Sequence, residues 1–228
     1  MSKYLVIDGL DETYAANIDV DDVVSPSVML VDFAIDGSGS MSKYERAMQE
    51  CLEHYKQAIC NSKQADEMLV SKTVFQTTIE TGGYVAPEDF NTDYSAGGRT
   101  RLFDTIIDRK QRMLDYMEQL KNNGTNARAC LIILSDGHDY GSSYRASDAR
   151  KVIQELISKE ITVAFIAFGQ EAFGIADSIG IKKQNVKEVS NDESELRHVI
   201  ELVSKSAISA SKRASSGFGD SSAGFFDV

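Results

Sequence analysis

Two stretches of this chain, ARACLIILSD (127–136) and ITVAFIAFG (161–169), run almost without interruption through apolar residues. A strand with one wet face alternates apolar and polar side chains. A strand that does not alternate is buried on both faces, as in a parallel sheet between two layers of helices. Both runs fall short of the roughly 18 apolar residues of a membrane span. The flanking segments supply the helices. SKYERAMQECLEHYKQAI (42–59) sets Tyr44, Ala47, Met48, Cys51, Leu52, Tyr55, Ala58 and Ile59 at spacings of three and four, one buried face of an amphipathic helix. Ser42 and Glu45 have the S-x-x-E spacing of a capping box, so this helix is expected to start just after the preceding Gly-Ser turn.

A second helix is predicted from about Arg101, with Leu102, Phe103, Ile106, Ile107, Met113, Leu114, Met117 and Leu120 facing inward, and NNGTN (122–126) stops it. Further helices are predicted over 145–159, near 171–179 and over 192–208, the last with Leu196, Val199, Ile200 and Val203 on one side. Strands are predicted over 27–36, once or twice within MLVSKTVFQTTIE (68–80), and in NVKEVS (185–190). Between them TGGYVAPEDFNTDYSAGG (81–98) is a long polar connection. Strands alternating with helices imply an α/β fold: a doubly wound, mostly parallel open sheet flanked by helices. The domain is expected over 27–208. Residues 1–26 form a lead-in, whose KYLVID stretch suits an extra strand. The Ser/Gly-rich tail, 209–228, has no period and is expected to be disordered.

The net charge of −11 over 228 residues excludes a nucleic-acid binder, because no basic stripe offsets phosphate repulsion. The first twenty residues lack a basic segment followed by an apolar run, so no secretory signal is expected, and no membrane partner. Cys51, Cys60 and Cys130 have no metal-ligand spacing and read as buried, reduced thiols, which fits a cytoplasmic protein.

Ligands of open α/β sheets bind beyond the carboxyl ends of the strands. Two acidic loops belong there. In VDFAIDGSGSM (31–41), Asp36, Ser38 and Ser40 alternate with Gly37 and Gly39, so three oxygen-bearing side chains can converge while the glycines let the backbone curl. SDGHD (135–139) ends the ACLIIL strand and supplies Asp136 as a second carboxylate. Carboxylates with hydroxyls are a hard-oxygen donor set, suited to Mg²⁺ or Mn²⁺ and poorly suited to zinc or copper.

These parts, in this order, resemble the von Willebrand factor A (vWA) domain, whose metal-ion-dependent adhesion site (MIDAS) has D-x-S-x-S after a first buried strand, a Thr in a Gly-rich loop before a helix, and an Asp after a later strand. The resemblance covers roughly 27–208. It assigns the metal site to Asp36, Ser38, Ser40, Thr100 within GGRTRLFD, and Asp136. It implies a protein partner that presents a Glu or Asp to an open position on the metal, with no bond broken, so the chain is expected not to be an enzyme. Among family members a short stand-alone domain resembles bacterial cytosolic ones that work with MoxR-type AAA+ ATPases or in tellurite-resistance and stress systems. Two features depart from the pattern. Arg99 and Arg101 flank Thr100, where they either face solvent or greet an acidic ligand. Asp32 lies inside the first strand, where an unpaired carboxylate is costly, so a buried partner is expected for it.

The rival readings are weaker. GSGSMS lacks the third glycine of a dinucleotide fingerprint, and Asp36 would repel a pyrophosphate. A Mg²⁺-dependent phosphoryl-transfer enzyme with Asp36 as nucleophile would want a second acid where Ser38 stands. A serine hydrolase would want G-x-S-x-G. A metal-stabilised structural protein, in which the ion only orders the loops, remains the main alternative. His54 and His198 read as structural or solvated, and His138 as a solvated loop histidine. GDSSAGFFDV (219–228) offers acids beside Phe218, Phe225 and Phe226, and so a route to self-association through a neighbour's metal site.

Overall fold

The fold is described from a computed structural model for residues 12–14, 16–190, 193–216 and 224–227. Among the described residues seven strands make one mixed sheet: β1 (Glu12–Tyr14), β2 (Ser27–Asp36), β3 (Met68–Phe75), β4 (Ile79–Thr81), β5 (Asn126–Ser135), β6 (Thr162–Phe168) and β7 (Val186–Val189). Their order is β1-β4-β3-β2-β5-β6-β7. The five strands from β3 across to β7 are mutually parallel, while β4 runs antiparallel to β3 and β1 follows β4. The two apolar runs noted first are β5 and β6, flanked on both sides as their lack of alternation requires.

Among the described residues five α-helices cover the faces: α1 (Glu45–Cys60), α2 (Leu102–Asn122), α3 (Ala146–Ser158), α4 (Gln170–Ser178) and α5 (Glu193–Ser216). Alternation along β2 divides the core. Val31, Phe33 and Ile35 pack with Met48, Leu52 and Tyr55 of α1 and Leu196 and Val203 of α5. Leu30 and Ala34 pack with Ile106 and Met113 of α2 and Ile153 of α3. Asp32 has the parity of this second face, and its partner is Arg109 of α2. The Arg109 Nη2–Asp32 Oδ2 distance is 2.6 Å, and the Tyr84 hydroxyl donates to the same oxygen at 2.8 Å. None of the described helices is long and apolar enough to cross a membrane.

Several sequence expectations are corrected. Residues Gly39–Tyr44 form a 3-10 turn before α1. No capping box closes there, because the Ser42 hydroxyl donates back to the Gly39 carbonyl (2.8 Å) and the Glu45 carboxylate accepts from the Ala96 N–H (3.2 Å). Ala58 and Cys60 are exposed at the end of α1, while Cys51 and Cys130 are buried. The extra strand of the lead-in is Glu12–Tyr14; KYLVID lies outside the described residues.

Parts of the tail expected to be disordered are ordered in the described residues. The α5 helix continues to Ser216, and Ser204, Ser206, Ala207 and Ser211 are buried along it. Small residues keep the helix close to its neighbours without the large apolar side chains that make a period visible. Beyond residues 217–223, which lie outside the described part, Phe225 and Phe226 are each 6% exposed and join the core formed by Val189, Leu196 and Ile200. The Phe225 N–H donates to Asn185 Oδ1 at 2.8 Å, and the Lys187 ammonium lies 5.6 Å from the centre of the Phe226 ring. The aromatic pair proposed for self-association is thus buried against its own domain.

Candidate metal centre

The centre begins where β2 ends. The Asp36 side chain is fully buried, and its Oδ2 accepts from the Ser135 hydroxyl at 2.6 Å while Oδ1 accepts from the Ser38 N–H at 2.9 Å. The Tyr94 hydroxyl holds the Asp36 carbonyl at 2.6 Å. Next, Gly37 donates to the Phe75 carbonyl at 2.9 Å and accepts from the Gly97 N–H at 2.6 Å. A side chain there is excluded, because its Cβ would come within 2.7 Å of Val74 Cγ1. The chain turns, and Ser38 Oγ lies 3.0 Å from Ser40 Oγ. The Ser40 hydroxyl in turn donates to Asp136 Oδ2, across 96 residues of sequence.

Asp136 follows β5 directly. Its Oδ1 accepts the His138 N–H at 3.1 Å, and Gly137 turns with φ of +84° between them. Thr100 comes from a third segment. It is buried, its carbonyl accepts the Tyr140 N–H at 3.2 Å, and it lines one open pocket of about 440 Å³ with Ser38, Ser40, Arg99, His138 and Tyr140. The Gly39 N–H donates to the Gly98 carbonyl at 3.3 Å, which ties the Thr100 loop to the serine turn. The structure therefore gathers Asp36, Ser38, Ser40, Thr100 and Asp136 at one edge of the sheet.

The other acids nearby have structural duties. Asp104 accepts from the N–H groups of Ser143 and Tyr144 (2.8 and 3.0 Å) and from Arg101 (2.7 Å). Asp139 accepts from the N–H of Phe103 at 3.1 Å and of Ser142 at 3.0 Å. Sequence reasoning missed Ser135, which the β2–β5 register (Ile35 opposite Leu134) sets beside Asp36. A hydroxyl directly before the Asp of the second loop was the available signal. His138 is not simply solvated: its Nδ1 lies 3.1 Å from Asp136 Oδ1 and its Nε2 lies 3.2 Å from Glu171 Oε2.

Charge decides what this arrangement can take. Burial pushes the Asp36 carboxyl up to about 6; the hydrogen bonds from Ser135 and Ser38 pull it back, and the Asp136 charge adds to the rise. Among the described residues no Lys or Arg is a hydrogen-bonding partner of either carboxylate. A buried carboxylate, a second one close by and converging hydroxyl oxygens form a site short of positive charge, and the donors fit a hard divalent cation. Among the described residues no cluster of three or more His, Cys, Asp or Glu could hold a metal, so a thiolate or imidazole site of the zinc or copper type is absent there.

No protein-family model and no curated protein matches this sequence. Solved structures match its fold. The pilus adhesin SpaC from Lactobacillus rhamnosus GG, in an open conformation, superposes with a TM-score of 0.63 at 11% identity, over 81% of this chain and 30% of its own. Proximal thread matrix protein 1 from the mussel byssus, with a zinc-occupied MIDAS motif, gives 0.58 at 15% identity over 80% of this chain and 46% of its own. The SpRpn10 VWA domain gives 0.50 at 10% identity over 76% of this chain and 94% of its own. The fold is vWA-like, an open α/β sheet between two layers of helices. At these identities the likeness concerns the fold alone, and the chain spans less than half of the adhesin and of the byssus protein. In a vWA frame the gathered oxygens stand at the carboxyl ends of the central strands β2 and β5, the position open α/β sheets reserve for ligands.

Proposed function

We propose that this vWA-like domain is a metal-dependent protein-binding adaptor, in which Asp36, Ser38, Ser40, Thr100 and Asp136 hold Mg²⁺ or Mn²⁺ and a Glu or Asp of a partner protein completes the site. The observation that carries this reading is the chain of contacts from Ser38 through Ser40 to Asp136, which joins two loops almost a hundred residues apart beside a buried Asp36. The bound cation would supply an electrophilic point at which a partner carboxylate replaces water. The chain's own residues do the positioning. Ser135 and the Ser38 N–H fix Asp36, the His138 N–H fixes Asp136, and the exclusion of a Cβ at Gly37 keeps the serine turn tight against β3.

Binding rather than bond-breaking suits these contacts, since among the described residues the Ser38 and Ser40 hydroxyls engage each other and the Asp136 carboxylate rather than an imidazole base. An AAA+ ATPase as partner, and a role in a stress-response or tellurite-resistance system, rest on the sequence resemblance.

Calorimetric titration of metal-stripped protein with Mg²⁺ and Mn²⁺, beside Asp36→Ala and Asp136→Ala, tests the site. Saturable binding, lost in both variants and tightened by acetate, is the expected result. Binding that acetate leaves unchanged would favour an ion that only orders the loops. No binding by the intact protein would overturn the metal site.

A further inference from the structure

The loop that brings Thr100 to the metal centre carries an arginine on each side of it, and the two have different fates. The Arg101 side chain is turned inward, 11% exposed, and its Nη2 lies 2.7 Å from Asp104 Oδ2. Arg99 is exposed and lines the same pocket as Ser38, Ser40 and Thr100. Its backbone is held in place: the Arg99 N–H donates to Thr77 Oγ1 at 3.0 Å, just after Gly98 turns with φ of +78°. A Cβ at Gly98 would stand 2.5 Å from that same hydroxyl, so the turn is specific to glycine. Among the described residues no hydrogen bond or ion pair engages the Arg99 guanidinium.

An uncommitted guanidinium beside an oxygen cluster has a consequence for recognition. The molecule carries a net charge of −11, so an acidic partner is repelled at long range and needs local positive charge to dock. A metal ion accepts one carboxylate. Arginine offers a planar fork of donors matched to a second. We infer that Arg99 is a specificity-determining residue, which selects partner segments with two adjacent acidic side chains, one for the cation and one for the Arg99 guanidinium. This inference rests on the metal-adaptor reading above.

The expected gain is modest because Arg99 keeps its water. Exposed ion pairs stabilise by amounts equivalent to roughly twofold to fivefold in affinity. The probes are blocked peptides containing either one glutamate or two adjacent glutamates in an otherwise neutral sequence. They are titrated calorimetrically into the 228-residue protein saturated with Mn²⁺, and the readout is the ratio of the two affinities within each variant. Wild type should prefer the two-glutamate peptide by about fivefold, and raising the salt should erode that preference. Arg99→Ala should bring the ratio near one, Arg99→Lys should restore part of it, and Arg99→Glu should invert it. A wild-type protein that binds Mn²⁺ but shows no preference, or binds neither peptide, overturns the role of Arg99 and leaves the metal site standing. So does a preference unchanged in Arg99→Ala and Arg99→Glu. If the wild type does not bind Mn²⁺, both readings fall together.

Discussion

Arg109→Met removes the partner of a carboxylate sealed inside the fold. Asp32 is 0% exposed, and Arg109 donates to it from Nε (3.0 and 3.1 Å) and from Nη2 (2.6 Å). Burial by itself would lower the arginine's pKa, but the Asp32 charge outweighs it and holds the guanidinium charged. Without Arg109, the Tyr84 hydroxyl at 2.8 Å is the one side-chain donor left to Asp32 among the described residues. A buried charge stripped of its partner destabilises by about 3–5 kcal/mol. Against a total of about 5–15 kcal/mol for a natural domain, that is a large share. Asp32→Leu should cost a similar amount, because among the described residues Arg109 would keep one hydrogen bond, to the Ser71 hydroxyl at 3.1 Å. The double variant removes both desolvation penalties at once and should fall within about 1–2 kcal/mol of wild type. Equilibrium urea unfolding followed by circular dichroism measures all four proteins, and equal slopes show that the unfolded reference is unchanged. A coupling energy of at least about 3 kcal/mol is expected. The reasoning is refuted if either single variant loses less than about 1 kcal/mol, or if the double variant loses the sum of the two.

Ser135→Ala withdraws the 2.6 Å donor that orients Asp36, and Mn²⁺ affinity should drop by about tenfold with little change in thermal midpoint; calorimetry reads the first and a melt the second. Gly37→Ala drives a Cβ to within 2.7 Å of Val74 and 3.3 Å of the Ser95 carbonyl, and should lower stability by about 1–3 kcal/mol in urea unfolding. Truncating Phe225 and Phe226 together to Ala should cost about 3 kcal/mol in the same assay; an unchanged midpoint would mean that the aromatic pair is not docked. Burial lowers the Lys72 ammonium to about 8, with Asp93 and Glu80 pulling it back up. The folded state therefore releases this proton before the unfolded state does, so stability should rise with pH between about 8 and the ordinary lysine value of 10.5. Subtracting the unfolding curves of Lys72→Met isolates this contribution, and a flat difference over that window would contradict it.

Much of the frame is legible before any coordinates. Unbroken apolar runs announce β5 and β6, and the three-four spacing of Met48, Cys51, Leu52 and Tyr55 announces α1, because burial is written into local periodicity. The failures have identifiable causes. Ser42 and Glu45 satisfy a capping pattern, yet each finds another partner once the Gly39 turn and the 96–98 loop are in place. The continuation of α5 is hidden because serine and alanine pack closely without giving a strong apolar signal.

The candidate site divides in the same way. The spacing Asp36, Ser38, Ser40 is a property of one short turn, and its oxygen chemistry can be stated from composition alone. That Ser135 braces Asp36, that Ser40 meets Asp136, and that Arg109 neutralises Asp32 depends on contacts across 99, 96 and 77 residues of chain. Such contacts follow from β5 lying beside β2 and from α2 packing over β2. Strand order is a choice among arrangements that bury the same apolar surface, so periodicity cannot select it. The sequence determined which groups were available for chemistry, and only the tertiary structure decided which of them meet.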